Sequence, residues 1–429
     1  MNKSIPRGLL AVAVSSALLI AQEGNKPMTG GWSAKPGSGL KYDGGDAFGM
    51  TWTNLLQVHW SFTSNENAPD INNFTVRRAR TTFAGHAFSR NIQYRITWDA
   101  IDAGAAGDGN LKDGWVQWNF ASSDSGTIGL RVGQGKTLFG LESTGSASGL
   151  WFVERSSTSR TFADARSRGA WLNGLLADNR LRWSAGAMNG DAASGLGGAV
   201  GGTTPATGYT DRGEESNNSD NALSYVLTAS FDPLGDFFDG KQTAESFKQG
   251  DWRTEDNALK ATVGVGVALG NGRTATPVGG SVQDIQSTSL NLNTAWTVSR
   301  FHVLGEYFLR TDDQQGATPD KEKPKGWTVG AGYLLPQNGD SKVQWGLGLR
   351  FNRLENDIGN NAFVDFLTGM QGIGSTPGDA NEITAVLNAF YHGHACKTQL
   401  EYTFQDVDPD GTGSSTTNHI FRIGFQLQF

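Results

Sequence analysis

The chain has 429 residues, 37% of them hydrophobic and 18% charged, with a formal net charge of −7; Gly (58), Phe (23) and Trp (13) are abundant. A single cysteine, Cys396, excludes an intrachain disulfide framework and a four-cysteine zinc site. Beyond Ile20 no run of about 18 apolar residues occurs, which excludes membrane-crossing helices but not membrane-crossing strands, whose apolar residues are interleaved with polar ones.

At the N-terminus, Lys3 and Arg7 precede an apolar stretch from Leu9 to Ile20 broken only by Ser15 and Ser16. This predicts a secretory signal peptide over 1–21, cleaved after Ala21, with Ala17 the other candidate position. Residues 22–49 are expected to form an N-terminal periplasmic segment.

From residue 50 to 429, period-two alternation predicts about sixteen strands. They are placed near 50–63, 74–88, 91–100, 112–120, 126–134, 168–178, 180–190, 222–232, 259–269, 286–298, 301–311, 325–335, 341–353, 381–391, 394–406 and 417–429. Three are especially clean. Ile92, Tyr94, Ile96 and Trp98 alternate with Gln93, Arg95, Thr97 and Asp99; Trp345, Leu347, Leu349 and Phe351 oppose Lys342, Gln344 and Arg350; Phe421, Ile423, Phe425, Leu427 and Phe429 alternate with Arg422, Gly424, Gln426 and Gln428. Successive strand side chains face opposite sides, so one face of each must meet an apolar medium and the other water. The fold class is therefore all-β: a transmembrane antiparallel β-barrel of about 16 strands with long extracellular loops and a constriction loop. A terminal Phe closing such a strand resembles the assembly signal of bacterial outer-membrane barrels, which sets the expected location in the cell outer membrane.

Connection lengths support this reading, since such barrels alternate short periplasmic turns with long outer loops. Ser89-Arg90, Asp178-Asn179, Ser299-Arg300, Gln337 to Asp340 and His392-Gly393 are tight, whereas 64–73, 101–111, 135–167, 191–221, 270–285, 312–324, 354–380 and 407–416 are long. Residues 233–258 break the pattern as a long periplasmic connection, which means either a small periplasmic element or a slip in the strand count.

Trp52, Trp60, Trp98, Trp118, Trp183, Trp296, Trp327 and Trp345 fall on outward faces and suit aromatic girdles at the lipid interfaces. The inward faces are polar and predominantly basic. Alternation puts Arg78, Arg80, Arg95, Arg131, Arg182, Lys260, Arg310, Lys342, Arg350, Lys397 and Arg422 inside, against Asp99, Asp113, Glu306 and Glu401. Acidic residues gather instead in loops such as 354–380. A narrow bore lined by one sign focuses the field on passing ions, so this lining outweighs the net charge.

The loop 135–167 carries Leu138, Phe139, Leu141, Leu150, Trp151, Phe152 and Val153, which would be wasted in open solvent. It is expected to fold into the barrel as a constriction where Arg155, Arg160 and Arg166 offer donors to an anion's oxygens.

The strings NNFTVRRARTTFAG (72–85), GLRVGQGKTLFGLES (129–143), FVERS (152–156) and RSRGAWLNG (166–174) followed by AGAMNGD together resemble the phosphate-selective porin O and P family. The resemblance implies a sixteen-stranded barrel, commonly a homotrimer, whose third loop narrows an anion-conducting pore. It also implies that Arg77, Arg78 and Arg80 form a double-arginine block and that Glu142, Glu154 and Arg155 lie in the constriction motifs. Ser143 stands where the phosphate-binding members carry Lys, a departure that weighs against high phosphate affinity.

The expected function is passive diffusion of small, preferentially anionic solutes, phosphate-like ions among them, with no cofactor, no enzymatic chemistry and no nucleic-acid partner. Lipid bilayer and lipopolysaccharide are the expected surroundings. The alternative is a structural or surface-interaction barrel with a plugged lumen. His392, His394 and Cys396 share a strand face without supporting metal context, and the inward His59 and His302 lack a nucleophile-elbow motif beside them.

Overall fold

The computed structural model describes residues 30–35, 37–66, 69–101, 111–163, 166–189, 209–211, 223–235, 237–238, 245, 247–252, 257–275, 283–315, 321–337, 341–355, 378–409 and 415–429. The expected signal peptide over 1–21, the Gly/Thr/Ala-rich run 195–208 and nearly all of the acidic loop 354–380 lie outside the described residues.

Sixteen strands make the wall: β1 (Phe48–Asn65), β2 (Ile71–Ala87), β3 (Ser89–Asp99), β4 (Leu111–Ser123), β5 (Gly126–Gly135), β6 (Ser167–Leu176), β7 (Leu181–Asn189), β8 (Leu223–Phe231), β9 (Lys260–Ala275), β10 (Gln283–Val298), β11 (Phe301–Gln315), β12 (Lys325–Leu334), β13 (Gln344–Glu355), β14 (Gly378–His392), β15 (Cys396–Pro409) and β16 (Thr416–Gln428). Each pairs antiparallel with the next. β16 returns to β1, from Gln428↔Leu55 to Asn418↔Asn65, and closes the sheet. Closure leaves no wall strand with an unpaired edge in lipid.

At the seam, Asn54 and Phe429 exchange backbone hydrogen bonds of 2.6 and 3.0 Å. Below it a hairpin of Gly31–Lys35 and Gly39–Asp43 pairs with Gly49 to Trp52 on β1, covering the stretch of edge that β16 does not reach. Two further short strands, Tyr209–Asp211 and Lys321–Glu322, extend β9 and β11.

All sixteen expected strands are present, most within a few residues of their expected limits. The tight turn expected at Ser89-Arg90 falls at Phe88, which takes a left-handed φ of 66°. Ser299 and Arg300 form their turn as expected. Lys342 is a correction: β13 starts at Gln344, so Lys342 lies exposed in the preceding connection and not on the inner wall.

The two faces separate as alternation requires. On β13, Trp345, Leu347, Leu349 and Phe351 are exposed while Gly346, Arg350, Asn352 and Leu354 are buried. The exposed apolar side chains continue around the wall through Trp52, Trp98, Trp118, Val132, Leu227, Val265, Trp296, Trp327, Leu400 and Phe425. Such a band is tolerated against lipid and not against water. Leu347→Arg, on the lipid face, should destabilise the barrel by about 2–4 kcal/mol if it sits near the bilayer midplane. Urea titration of the vesicle-folded protein checks this, with wild-type stability as the contrary result.

Candidate functional site

Between β5 and β6 the chain turns into the barrel. It forms a short helix α1 (Leu141–Thr144), a 3-10 turn (Ala147–Gly149) and a second short helix α2 (Ser157–Phe162), capped by the Ser156 hydroxyl accepting from the Ser159 N–H. Nearly every residue from Gly135 to Ala163 is buried, so the loop fills the lumen as its apolar content predicted.

Its aromatic residues fit places where the wall has no side chain. Trp151, fully buried, lies over Gly332, Gly346 and Gly348, where an added Cβ would come within 2.5, 2.8 and 2.6 Å of the indole. Phe152 lies beside Gly330, Phe162 beside Gly326 and Phe139 beside Gly266. His302 and Phe390 close on the Trp151 ring at centroid distances of 4.4 and 5.2 Å. The glycines of β12 and β13 thus form a cradle for the loop.

Polar wall groups satisfy the loop's irregular backbone. Glu306 accepts from the N–H groups of Leu141 (2.6 Å) and Glu142 (3.3 Å) and from the Ser159 hydroxyl (2.6 Å). Glu401 accepts from the Val153 N–H at 2.8 Å, and Glu382 accepts from the Ser157 hydroxyl. Gln57, Gln426 and Gln399 donate to the carbonyls of Ala147, Ser148 and Trp151. Lys397 donates to the Leu150 carbonyl at 2.5 Å, and Arg350 to that of Glu154 at 2.9 Å.

Most of the expected pore-lining cations are engaged. Glu154 is gripped by Arg77 at 2.7 Å and Arg78 at 3.0 Å. Strict alternation sends Arg77 to the opposite face from Arg78, but a β-bulge opposite Gln57/Val58 breaks the register, and both guanidinium groups reach one carboxylate. Arg80 pairs with Asp99 (2.7 Å), Arg166 with Asp113 (2.8 Å), Arg422 with Glu401 (2.8 Å), and Arg350 lies 3.7 Å from Glu142 over the Phe152 ring. Arg155 is a strut within the loop, donating to the carbonyls of Glu142 and Gly145. Arg310 is buried on β11, and Lys260 is half-buried at the periplasmic start of β9. Most of the inward basic residues are thus paired, because a loop brought into a low-dielectric bore carries its own counter-charges.

Arg95 and Arg160 differ. Among the described residues neither makes a salt bridge, and the Nε of each is buried with no hydrogen-bond partner. Burial lowers the pKa of both Arg155 and Arg160 to about 10, leaving them charged at neutral pH. For Glu154 burial acts upward, but Arg78 and Arg77 outweigh it and hold the carboxyl well below the usual range.

The segment that broke the hairpin pattern supplies what sequence reasoning missed. Its described residues enter the lumen from the periplasmic end. Asp232 pairs with Arg182 at 2.8 Å and Glu245 with Arg131 at 2.9 Å, while Phe238 and Phe247 pack with Leu141 of the loop. Two wall cations expected to meet solutes are thus held by the β8–β9 connection, which in the structure already starts at Asp232. Its readable signal was apolar residues, Phe237, Phe238, Phe247 and Trp252, in a connection too long for a turn.

His59 lies 3.9 Å from Glu154, and among the described residues no group of three or more His, Cys, Asp or Glu is arranged to hold a metal ion.

A family model described as phosphate-selective porin O and P matches residues 55–429. The chain belongs to this family. It is an outer-membrane porin, and its fold is that of solved porin barrels. The DcaP channel of Acinetobacter baumannii is similar at 11% identity and a TM-score of 0.55, covering 91% of this chain and all (100%) of that one. An anion-selective porin from Comamonas acidovorans gives 12% and 0.51, covering 89% and 99%. The trimer form of OmpT, an outer-membrane protein of Vibrio cholerae, gives 14% and 0.50, covering 90% and 100%. No curated protein sequence matches.

The porin's constriction depends on the Trp151 anchor. Trp151→Ala should cost about 3–5 kcal/mol and release the loop tip, giving larger and noisier single-channel currents in planar bilayers. A quiet channel of wild-type conductance would refute the anchoring role.

Proposed function

We propose that this porin passes small, preferentially anionic solutes by passive diffusion, phosphate-like ions among them, without bond chemistry or cofactor. The observation that carries the reading is an imbalance in the bore. Asp99, Asp113, Glu142, Glu154, Asp232, Glu245, Glu306, Glu382 and Glu401 all accept hydrogen bonds or ion pairs from protein groups. The guanidinium groups of Arg95 and Arg160, both half-buried, make no salt bridge among the described residues, and in this reading they are the ones that receive a passing oxyanion. A desolvated carboxylate with its acceptors filled repels less than a free one, whereas an open guanidinium offers several donors in a fixed fork.

In this reading Arg95 and Arg160 contact the solute. Arg78, Arg80, Arg131, Arg155, Arg166, Arg182, Lys260, Arg310, Arg350 and Arg422 supply the surrounding positive potential and hold the constriction in shape. Ser143, half-buried on α1, adds no cation there, so phosphate is passed without tight retention. Residues 1–21 serve export, 22–49 stay on the periplasmic side, and three copies assemble in a bilayer whose outer leaflet is lipopolysaccharide.

In a salt gradient across a planar bilayer, the reversal potential should report anion preference. Arg95→Glu with Arg160→Glu should reduce the anion-to-cation permeability ratio by about tenfold, the scale on which a focused field changes local ion concentration. Cation preference in the wild type would overturn the proposal. The filled lumen favours a second reading, a plugged barrel that serves as a surface scaffold. The absence of ohmic steps after reconstitution would establish it in place of the first.

A further inference from the structure

The connection between β8 and β9 lies against the underside of the constriction loop. The Ser146 N–H donates to the Phe247 carbonyl at 3.1 Å and the Gln249 N–H to the Gly149 carbonyl at 2.8 Å, a reciprocal pair that locks the segment to the loop. The Gln249 side chain adds two bonds, its Oε1 accepting from the Trp151 N–H at 2.7 Å and its Nε2 donating to Glu142 at 3.2 Å. On the other side, His394 in the β14–β15 turn meets the Gln249 carbonyl through Nε2 at 2.6 Å and Lys397 through Nδ1 at 3.4 Å. Lys397 can only donate, so the imidazole is neutral and Nε2 carries the hydrogen given to Gln249. Trp252 packs edge-on against Phe390 and His394. Gln249 is thus bound both to the loop and to the periplasmic turn of the wall.

Phe247 and Gln249 on either side are buried, and Lys248 between them is exposed, with its stem against Gly149. Among the described residues Lys248 makes no salt bridge, and unlike the buried Asp251 of the same clamp its side chain is exposed.

We propose that Phe247 to Trp252 form a second constriction element, in which Gln249 positions the loop from below and Lys248 is a further selectivity-determining residue at the periplasmic mouth of the bore. This rests on the porin function but not on the assignment of Arg95 and Arg160. A solute leaving the loop meets a fixed cation before reaching the periplasm, and conduction is set from both ends of the lumen.

The test uses the full chain in planar bilayers with Cys396→Ser as background, so that Lys248→Cys is the sole thiol. A membrane-impermeant anionic thiol reagent added on the periplasmic side should reduce conductance by about twofold or more and shift the reversal potential toward cations. A cationic reagent of similar size should restore the wild-type reversal potential. Unchanged current and reversal potential with labelling verified by mass spectrometry would overturn the proposal, whatever the selectivity of the parent channel. If the parent channel prefers cations while Lys248→Cys still responds to reagent charge, the anion reading fails and the second constriction stands. For Gln249, the Gln249→Leu channel should show larger, flickering currents with the sign of its selectivity kept. Wild-type conductance in that variant, folded by its heat-dependent gel mobility, would remove the positioning role.

Discussion

Non-helical backbone at membrane depth survives only if every N–H and C=O within it is satisfied, and the lumen is built around that requirement. The loop between β5 and β6 offers few internal hydrogen bonds, because its two helices are only 4 and 6 residues long. The wall supplies the rest. Carboxylates on β11 and β15 accept from loop N–H groups, and amides and a lysine on β1, β15 and β16 donate to loop carbonyls. The polar lumen face is therefore first a solvation shell for protein and only second a surface for solutes.

That ordering explains which arginines are bound and which are free. A bare carboxylate in the bore would carry a desolvation cost of several kcal/mol, so each acid the loop brings inside must meet a cation or several donors. Glu154 recruits two arginines, one of them through a register break in β2. The same logic governs the periplasmic segment, whose Asp232 and Glu245 take Arg182 and Arg131. Cations left over after this matching are the ones proposed above to act on a passing ion.

Period-two alternation exposed the wall because lipid and water impose opposite demands on neighbouring residues, and the signal recurs in every strand. Lys342 was misplaced because a strand end carries too few alternations to fix its start. Whether an inward arginine is free was not legible, since its partner sits on a loop whose path no local pattern specifies. Arg77 shows this most sharply: a bulge shifts facing by one residue and leaves no periodic trace. The apolar loop was recognisable as buried, but its seat was not, because glycines on β12 and β13 read as small strand residues until Trp151 is seen lying over them. The segment after β8 announced itself only as an exception to the rule of short turns.

The net charge of −7 is no guide to what the bore prefers. Charges in exposed loops act through water, where two unit charges at 4 Å interact by about 1 kcal/mol, and salt screens them beyond a Debye length of roughly 8–10 Å. Inside the constriction an effective dielectric nearer 20 makes the same separation worth about 4 kcal/mol. In the reading proposed above, the guanidinium groups of Arg95 and Arg160 therefore weigh more than a larger number of acids in the exposed loops, and the acids of the bore already have their acceptors engaged by protein donors. Selectivity in such a barrel is a property of the few charges that the packing of its own loops leaves unmatched.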